Sequence, residues 1–308
     1  MTDDEKFMRR CLQLASNGRQ NAKPNPMVGA VIVSADGRII GEGYHVRCGE
    51  GHAEVNAFAS VRPEDEPLLK EATIYVSLEP CSHYGKTPPC ADLIIKKGVR
   101  RVVVGCIDEF AEVQGRGIKK LCEAGIEVEV GVLEAECKAL NRRFFTFHRE
   151  HRPYIILKWA QTANGFIDDN YQPVQISSDF TKMLAHKLRA EEDAILVGRV
   201  TEERDHPQLT VREWNGPNPK RLVIDRAHPL NLESLYAHHI QSLIIEGGAK
   251  TINTFIKQEL WDEIRVETNL RLTVSSGTRA PQVPANASII SCQQYGDNQI
   301  ILFSRTLN

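Results

Sequence analysis

Thr73-Ile74-Tyr75-Val76-Ser77-Leu78-Glu79-Pro80-Cys81 is the stretch on which the reading of the fold turns. It is an apolar run with β-branched residues, the composition of a buried strand, and its C-terminal end delivers Glu79-Pro80-Cys81. Pro88-Pro89 then precede Cys90, which opens a helix through Leu93, Ile94 and Ile95 to Gly98, with prolines at the start and glycine past the end. Arg101 to Cys106 is expected as a strand, Gly117 to Ala124 as a helix and Ile126 to Val130 as a strand. Strand–helix–strand–helix–strand over 73–130 predicts a parallel portion of a sheet covered by helices.

Upstream, residues 3–18 place Phe7, Met8, Cys11, Leu12 and Ala15 at helical spacing and stop near Asn17-Gly18. In the loop that follows, Pro24 and Pro26 fix the backbone on either side of Asn25. Val28 to Val33 and Ile39 to Tyr44 flank Asp36-Gly37 as an antiparallel hairpin at the edge of the sheet, and His52 opens a helix through Ala59. A helix over 134–148 closes this unit. The polar, proline-ended junction His148-Arg149-Glu150-His151-Arg152-Pro153 sets the expected boundary, giving domains 1–149 and 150–308.

His52-Ala53-Glu54 gives the cysteines a meaning. One imidazole (His52) and two thiols (Cys81, Cys90) are zinc ligand types, and three protein ligands leave a fourth position for water. Glu54 is placed to move protons, taking one from the water and later giving one to a leaving amine. Such a set is that of a zinc deaminase. A structural zinc would want a fourth protein ligand, for which His83 is the candidate. Here the two cysteines are nine positions apart, and the inserted loop brings His83 and Lys86 towards the metal, suiting an extra anionic or polar substrate group.

Composition bounds the rest. The chain has 308 residues, 42% hydrophobic and 25% charged, the values of an ordinary two-domain globular protein. A net charge of −2 argues against wholesale nucleic-acid backbone binding, and with it against a tRNA-editing module. No run approaches about 18 apolar residues, and the acidic start Met1-Thr2-Asp3-Asp4-Glu5 leads into no signal core, so no membrane contact and a cytoplasmic location are expected. Eight cysteines without framework spacing read as two ligands and free thiols.

Beyond Pro153, strands are expected at Tyr154–Trp159, Ala194–Gly198, Arg221–Asp225, Ser242–Glu246, Glu263–Thr268 and Asn298–Phe303, with helices near 178–190 and 249–260. Ser242 to Glu246 runs into Gly247-Gly248 and a helix, where backbone N–H groups can close on a phosphate. Thr201 and Asp205 to Arg212 form a polar loop after an apolar strand, where α/β ligands tend to sit. The absence of G-x-G-x-x-G leaves an ordinary Rossmann domain unsupported.

Pro24-Asn25-Pro26-Met27-Val28-Gly29, His52-Ala53-Glu54, Glu79-Pro80-Cys81-Ser82-His83 and Thr87-Pro88-Pro89-Cys90 together resemble the bifunctional riboflavin-biosynthesis deaminase/reductases. Leu157-Lys158, Ile176-Ser177-Ser178, Leu188-Arg189-Ala190, Val223-Ile224-Asp225 and Glu246-Gly247-Gly248 follow in the order of that family's reductase domain. The resemblance implies an α/β chain: a cytidine-deaminase-like α/β/α sandwich with a mixed sheet, then a shortened dihydrofolate-reductase-like α/β domain.

It further implies one zinc ion and NADPH, with deamination of a phosphorylated diaminopyrimidine followed by reduction of its ribosyl group. Asn25, His45, His83 and Lys86 would contact the first substrate; Arg189, Leu209, Arg212 and Glu246 would hold the second, the two arginines suiting its phosphate. Ala160, Thr201, Asp205, Gly248, Ala249, Lys250, Thr251, Ile252, Asn253 and Thr254 would line the cofactor, and Lys158 and Asp205 would polarise C1′ and relay a proton. A homo-oligomer is expected, as such domains commonly assemble. The rival reading keeps the deaminase and makes the second half a degenerate, non-catalytic domain. Departures from the family fall at Ala163-Asn164-Gly165, Pro173 and Gln175. They include the span from Arg226 to Leu243, where the family fits an additional strand and helix.

Overall fold

Thr2 begins the first helix by a reciprocal cap: its hydroxyl accepts the Glu5 amide at 3.2 Å while the Glu5 carboxylate accepts the Thr2 amide at 2.9 Å. In this computed structural model, which describes residues 1–84, 88–109, 114–225 and 227–305, that helix is α1 (Asp3–Ser16). The chain then forms β1 (Gly29–Val33), β2 (Ile39–Tyr44), α2 (Ala53–Ala59), a 3-10 helix over Pro63–Glu71 and β3 (Thr73–Val76). α3 (Cys90–Lys97), β4 (Arg101–Val104), α4 (Arg116–Glu123), β5 (Glu127–Val130), α5 (Glu134–Leu140) and α6 (Arg142–Glu150) complete a unit spanning Met1–Glu150.

Its five strands lie in the order β2-β1-β3-β4-β5; β1 is antiparallel to both neighbours, and β3, β4 and β5 are parallel. Alternation along each strand builds both faces. Ile32, Ile74, Val76, Val102 and Val104 pack under α2 and α3, while Val31, Val33, Tyr75 and Val103 pack under α1 and α5. The result is the expected three-layer sandwich with a hairpin at the edge.

Gly43 lets α2 lie directly on β2. A Cβ there would stand 2.3 Å from the Ala57 backbone nitrogen, so any side chain would push the helix off the sheet. That close approach matters because α2 carries the ligand histidine at its start.

The helix expected over 134–148 is broken in two. Asn141 leaves helical geometry because its side-chain amide is engaged elsewhere, with Oδ1 accepting the Met27 N–H and Nδ2 donating to the Met27 carbonyl, both at 2.8 Å. This pair pins the Pro24–Pro26 loop. Asn141→Leu should strand both Met27 groups and lower the unit's stability by about 2 kcal/mol, read by calorimetry of the whole chain. An unchanged transition would refute it.

The second unit, His151–Asn308, begins with β6 (Tyr154–Thr162), α7 (Asp179–Glu191), β7 (Ala194–Gly198), α8 (Arg199–Asp205), β8 (Lys220–Ile224) and α9 (Leu232–Ala237). β9 (Ser242–Ile245), α10 (Ala249–Lys257), β10 (Glu263–Asn269), β11 (Ala287–Tyr295) and β12 (Asn298–Arg305) follow. Strand order is β11-β12-β10-β6-β9-β7-β8: the run from β10 to β8 is parallel, and β12 and β11 are antiparallel additions.

Three elements depart from expectation. α8 occupies part of the expected polar loop. α9 is started by Asn231, whose Oδ1 accepts the Ser234 amide at 2.8 Å. β11 is an exposed edge strand whose apolar residues do not alternate cleanly, so periodicity does not announce it. The chain from 225 to 242 is continuous in sequence, so the short connection there is built by α9 alone among the described residues.

Candidate functional site: a metal-ligand triangle and a buried ion cluster

His52 caps α2 in extended conformation, and Cys90 is the first residue of α3 after Pro89. Cys81 sits two residues beyond the Glu79 carboxylate, whose oxygens accept the amides of Gly115 at 3.0 Å and Gly117 at 2.9 Å. Glu79 therefore ties the turn carrying Cys81 to the start of α4. Gly117 is required at this junction, since a Cβ would lie 2.0 Å from the Pro80 carbonyl oxygen. The motif alone does not announce this task, because the donors come from residues 29 or more positions away.

These three elements bring the ligand atoms together. His52 Nδ1 is 3.5 Å from Cys81 Sγ and 3.3 Å from Cys90 Sγ, and the three atoms lie within 4.8 Å of one another. Around a zinc ion with bonds of about 2.1 Å to nitrogen and 2.3 Å to sulfur, tetrahedral edges are about 3.6 Å, so the donor set fits. Among the described residues this is the group that could hold a metal ion; His83 is exposed and stays outside it.

The electrostatics agree with a cation between the sulfurs. Hydrogen bonds from Cys90 and His52 pull the Cys81 thiol down to about 4, while the same neighbouring charge drives Cys90 far up. Two adjacent thiolates need a positive centre. Glu54, 3% exposed, is pushed up to about 7 by burial and by the Cys81 charge, against the pull of His52, and the Cys90 thiol reaches it.

His45 and Asn25 lie beside this triangle. The His45 ring stands edge-on to His52 at 5.3 Å between centroids; its Nδ1 faces the Gly51 carbonyl at 3.2 Å and its Nε2 faces Asn25 Nδ2 at 3.1 Å. Both bonds form when Nδ1 carries the proton, so Nε2 accepts from Asn25. Burial lowers the His45 pKa, which favours this neutral state. Lys86 lies outside the described residues.

In the second unit the α7 side of the sheet turns polar towards the strand ends: Ile156 gives way to Lys158, and Ile244 to Glu246. Arg189 grips Glu246 with two bonds, Nε to Oε1 at 3.2 Å and Nη2 to Oε2 at 2.9 Å, and Lys158 Nζ stands 3.6 Å from Oε2. Burial would raise the Glu246 pKa, but Lys158 and Arg189 outweigh it and hold the carboxyl at about 2. Three expected site residues thus form one part-buried cluster.

The other expected residues are distributed around it. Asp205 pairs with Arg204 at the end of α8, its Oδ1 accepting from Arg204 Nε at 2.9 Å. Arg212 is exposed and donates to Thr210 Oγ1 at 3.0 Å. Thr201 Oγ1 accepts the Gly248 amide at 3.0 Å, joining α8 to the start of α10, where the first-turn amides have no helical carbonyl to meet. Gly248, Ala249, Lys250 and Thr251 present this end, and Asn253 and Thr254 follow on the helix. Ala160 is partly buried on β6, opposite Glu267 of β10.

Ile252 and Leu209 are buried in apolar clusters: helix periodicity turns the Ile252 side chain inward, and Leu209 packs with Leu188 and Val197, so each would meet a ligand through its backbone. A cavity of about 700 Å³, walled by Gln175, Ser177, Phe180 and Tyr295, opens elsewhere on this unit, and neither Lys158 nor Glu246 lines it.

The first unit thus has the architecture and donor set of a zinc-dependent deaminase, and the second is a separate α/β domain with a part-buried ion cluster at its strand ends. Residues 1–106 match the cytidine and deoxycytidylate deaminase zinc-binding region. Residues 153–232 and 227–269 match the RibD C-terminal domain in two stretches that meet where the chain is short. The riboflavin biosynthesis protein RibD of Aquifex aeolicus is 37% identical over 310 residues, covering 85% of this chain and 86% of that protein. The Escherichia coli RibD is 42% identical over 236 residues, covering 72% of this chain and 63% of that protein.

Among solved structures, the diaminohydroxyphosphoribosylaminopyrimidine deaminase/5-amino-6-(5-phosphoribosylamino)uracil reductase of Thermotoga maritima superposes with a TM-score of 0.89. It is 32% identical, with 98% of this chain and 99% of that chain covered. Acinetobacter baumannii RibD gives 0.88 at 28% identity, covering 99% of each chain. The chain belongs to the RibD family of riboflavin biosynthesis proteins and carries both its deaminase and its reductase domain. No helix among the described residues is long and apolar enough to cross a membrane.

Proposed function

We propose that the chain deaminates 2,5-diamino-6-(5-phosphoribosylamino)pyrimidin-4(3H)-one to 5-amino-6-(5-phosphoribosylamino)uracil and then reduces the ribosyl group to ribityl with NADPH. The observation that carries the first step is the His52–Cys81–Cys90 triangle with Glu54 buried against it. His52, Cys81 and Cys90 would hold zinc, which when bound polarises a water and brings its pKa to about 7. Glu54 takes that water's proton, passes it to the ring nitrogen, and protonates the departing amine, so water enters and ammonia leaves. Asn25 and His45 orient the ring beside His52, with His83 and Lys86 serving the polar substituents.

In the second domain, Gly248 to Thr251 at the start of α10, with Thr201 and Ala160, would hold NADPH, which when bound would supply a hydride for C1′ of the opened ribose. Lys158, steered by Glu246, polarises C1′ through the imine nitrogen left when the ring opens, Asp205 relays the proton that this nitrogen takes up, and Arg189 and Arg212 hold the phosphate. The domains run over 1–149 and 150–308, the protein works in the cytoplasm, and it assembles as a homo-oligomer through surfaces such as the apolar edge at Ile289 and Ile290.

One coupled assay tests both steps: ammonia and NADPH absorbance followed together with the ribosyl-phosphate substrate, expecting one of each consumed or released per turnover. Ammonia release without NADPH oxidation would instead support a degenerate second domain. Chelation of zinc should abolish ammonia release, while NADPH oxidation with the deaminated intermediate should continue. Loss of both on chelation would contradict the assignment of metal to the first domain alone.

A further inference from the structure

The segment 209–213 carries Arg212 and is held by one face of α7. Arg189 Nη1 donates to the Thr210 carbonyl at 3.4 Å, and Lys182 Nζ pairs with Glu213 at 3.0 Å. Between these two, three and four residues along the helix, stands His186, 1% exposed. Its Nδ1 accepts two backbone amides, Arg212 N–H at 2.8 Å and Glu213 N–H at 3.2 Å. Leu209 has positive φ (52°) and is packed in the core, so the segment is anchored at that end as well. Its guanidinium end, by contrast, is exposed.

We propose that His186 is a positioning residue for the reductase reaction: its unprotonated Nδ1 clamps the Arg212 and Glu213 amides and so aims the Arg212 guanidinium at the phosphate of the substrate. This rests on the reading of the second domain as a reductase. The clamp exists in one protonation state. A proton on Nδ1 would face two N–H donors and replace two hydrogen bonds by two repulsive contacts. Burial, with the Arg189, Arg212 and Lys182 charges on either side and only Glu213 opposing them, lowers the His186 pKa and keeps that state near neutral pH. As pH falls through the lowered value the imidazole charges, the clamp opens, and Arg212 loses its aim. Histidine was not singled out at this position from sequence, because its partners lie 26 and 27 residues on.

The test is a set of variants assayed for NADPH oxidation with the deaminated phosphoribosyl substrate. His186→Leu removes the acceptor and should raise KM about tenfold with kcat changed by no more than about twofold, the loss of a positioned charged contact. His186→Asn places Oδ1 near the position of Nδ1, accepts the same amides and does not titrate. It should restore KM to within about twofold and abolish the KM rise expected of the parent as pH falls below the ordinary histidine range. In an Arg212→Ala background His186→Leu should add nothing further.

Unchanged KM in His186→Leu, failure of His186→Asn to rescue, or an undiminished effect without Arg212 would each overturn the proposal. If the parent enzyme oxidises no NADPH, the reductase reading fails instead. Amide exchange at Arg212 and Glu213 then decides on the clamp, which requires fast exchange in His186→Leu and slow exchange in His186→Asn.

Discussion

Glu54→Gln is expected to lower ammonia release by about 10³-fold while leaving zinc bound and NADPH oxidation of the deaminated intermediate intact. The substitution keeps size and hydrogen-bonding reach at a position 3% exposed, so the packing of α2 on β2 has no reason to change. What is lost is the proton acceptor. Glu54 lies two residues after His52 on α2, close enough for the Cys90 thiol to reach, and burial with the Cys81 charge pushes its carboxyl up to about 7. A carboxyl in that range both takes and returns a proton near neutrality, as the water and the leaving amine demand in turn. Zinc content by atomic absorption separates the two ways of losing activity. Retained ammonia release within tenfold would remove Glu54 from the chemistry; loss of zinc would make its role structural.

Glu246→Gln should have the largest effect in the second domain. It leaves Lys158 and Arg189, each 12% exposed, without their shared carboxylate, and breaking a part-buried pair in this way costs about 3 kcal/mol. All three tryptophans, Trp159, Trp214 and Trp261, fall in this unit, so intrinsic fluorescence during urea unfolding reads its stability alone. NADPH oxidation should fall together with stability, and ammonia release should persist.

The dependence on pH follows from the depressed pKa. The unfolded carboxyl titrates at about 4.3 and the folded one at about 2. The stabilisation by Glu246 is therefore complete above the unfolded value and is lost as pH falls from there towards 2. The gap between parent and variant should narrow across that acid window; a gap independent of pH would show that the ion cluster is not its source.

Periodicity placed most of the strands and helices of both units, because those elements bury one face each and their apolar residues repeat with the period of the backbone. It missed β11, whose outer position asks little of its side chains, and α8 and α9, which are too short and polar to carry a face. It joined α5 to α6 because nothing near Asn141 signals that Met27 will claim its side chain. The ligand set was legible for a different reason: His52, Cys81 and Cys90 are chemically rare types, each adjoining a proline or opening a helix.

By itself, then, the sequence determined the two-domain α/β architecture, the candidate metal ligands His52, Cys81 and Cys90 with Glu54 beside them, and the family of the second half. Tertiary structure alone decided which residues stand together. It joined Glu79 to Gly115 and Gly117, gathered Lys158, Arg189 and Glu246 into one part-buried cluster, put His186 beneath Arg212, and packed the Ile252 and Leu209 side chains into the core. The physical reason is that periodicity and capping are local, acting over a turn or a strand. The partner of a buried charge or amide is set by which strands lie side by side, and that order appears only when the chain is folded.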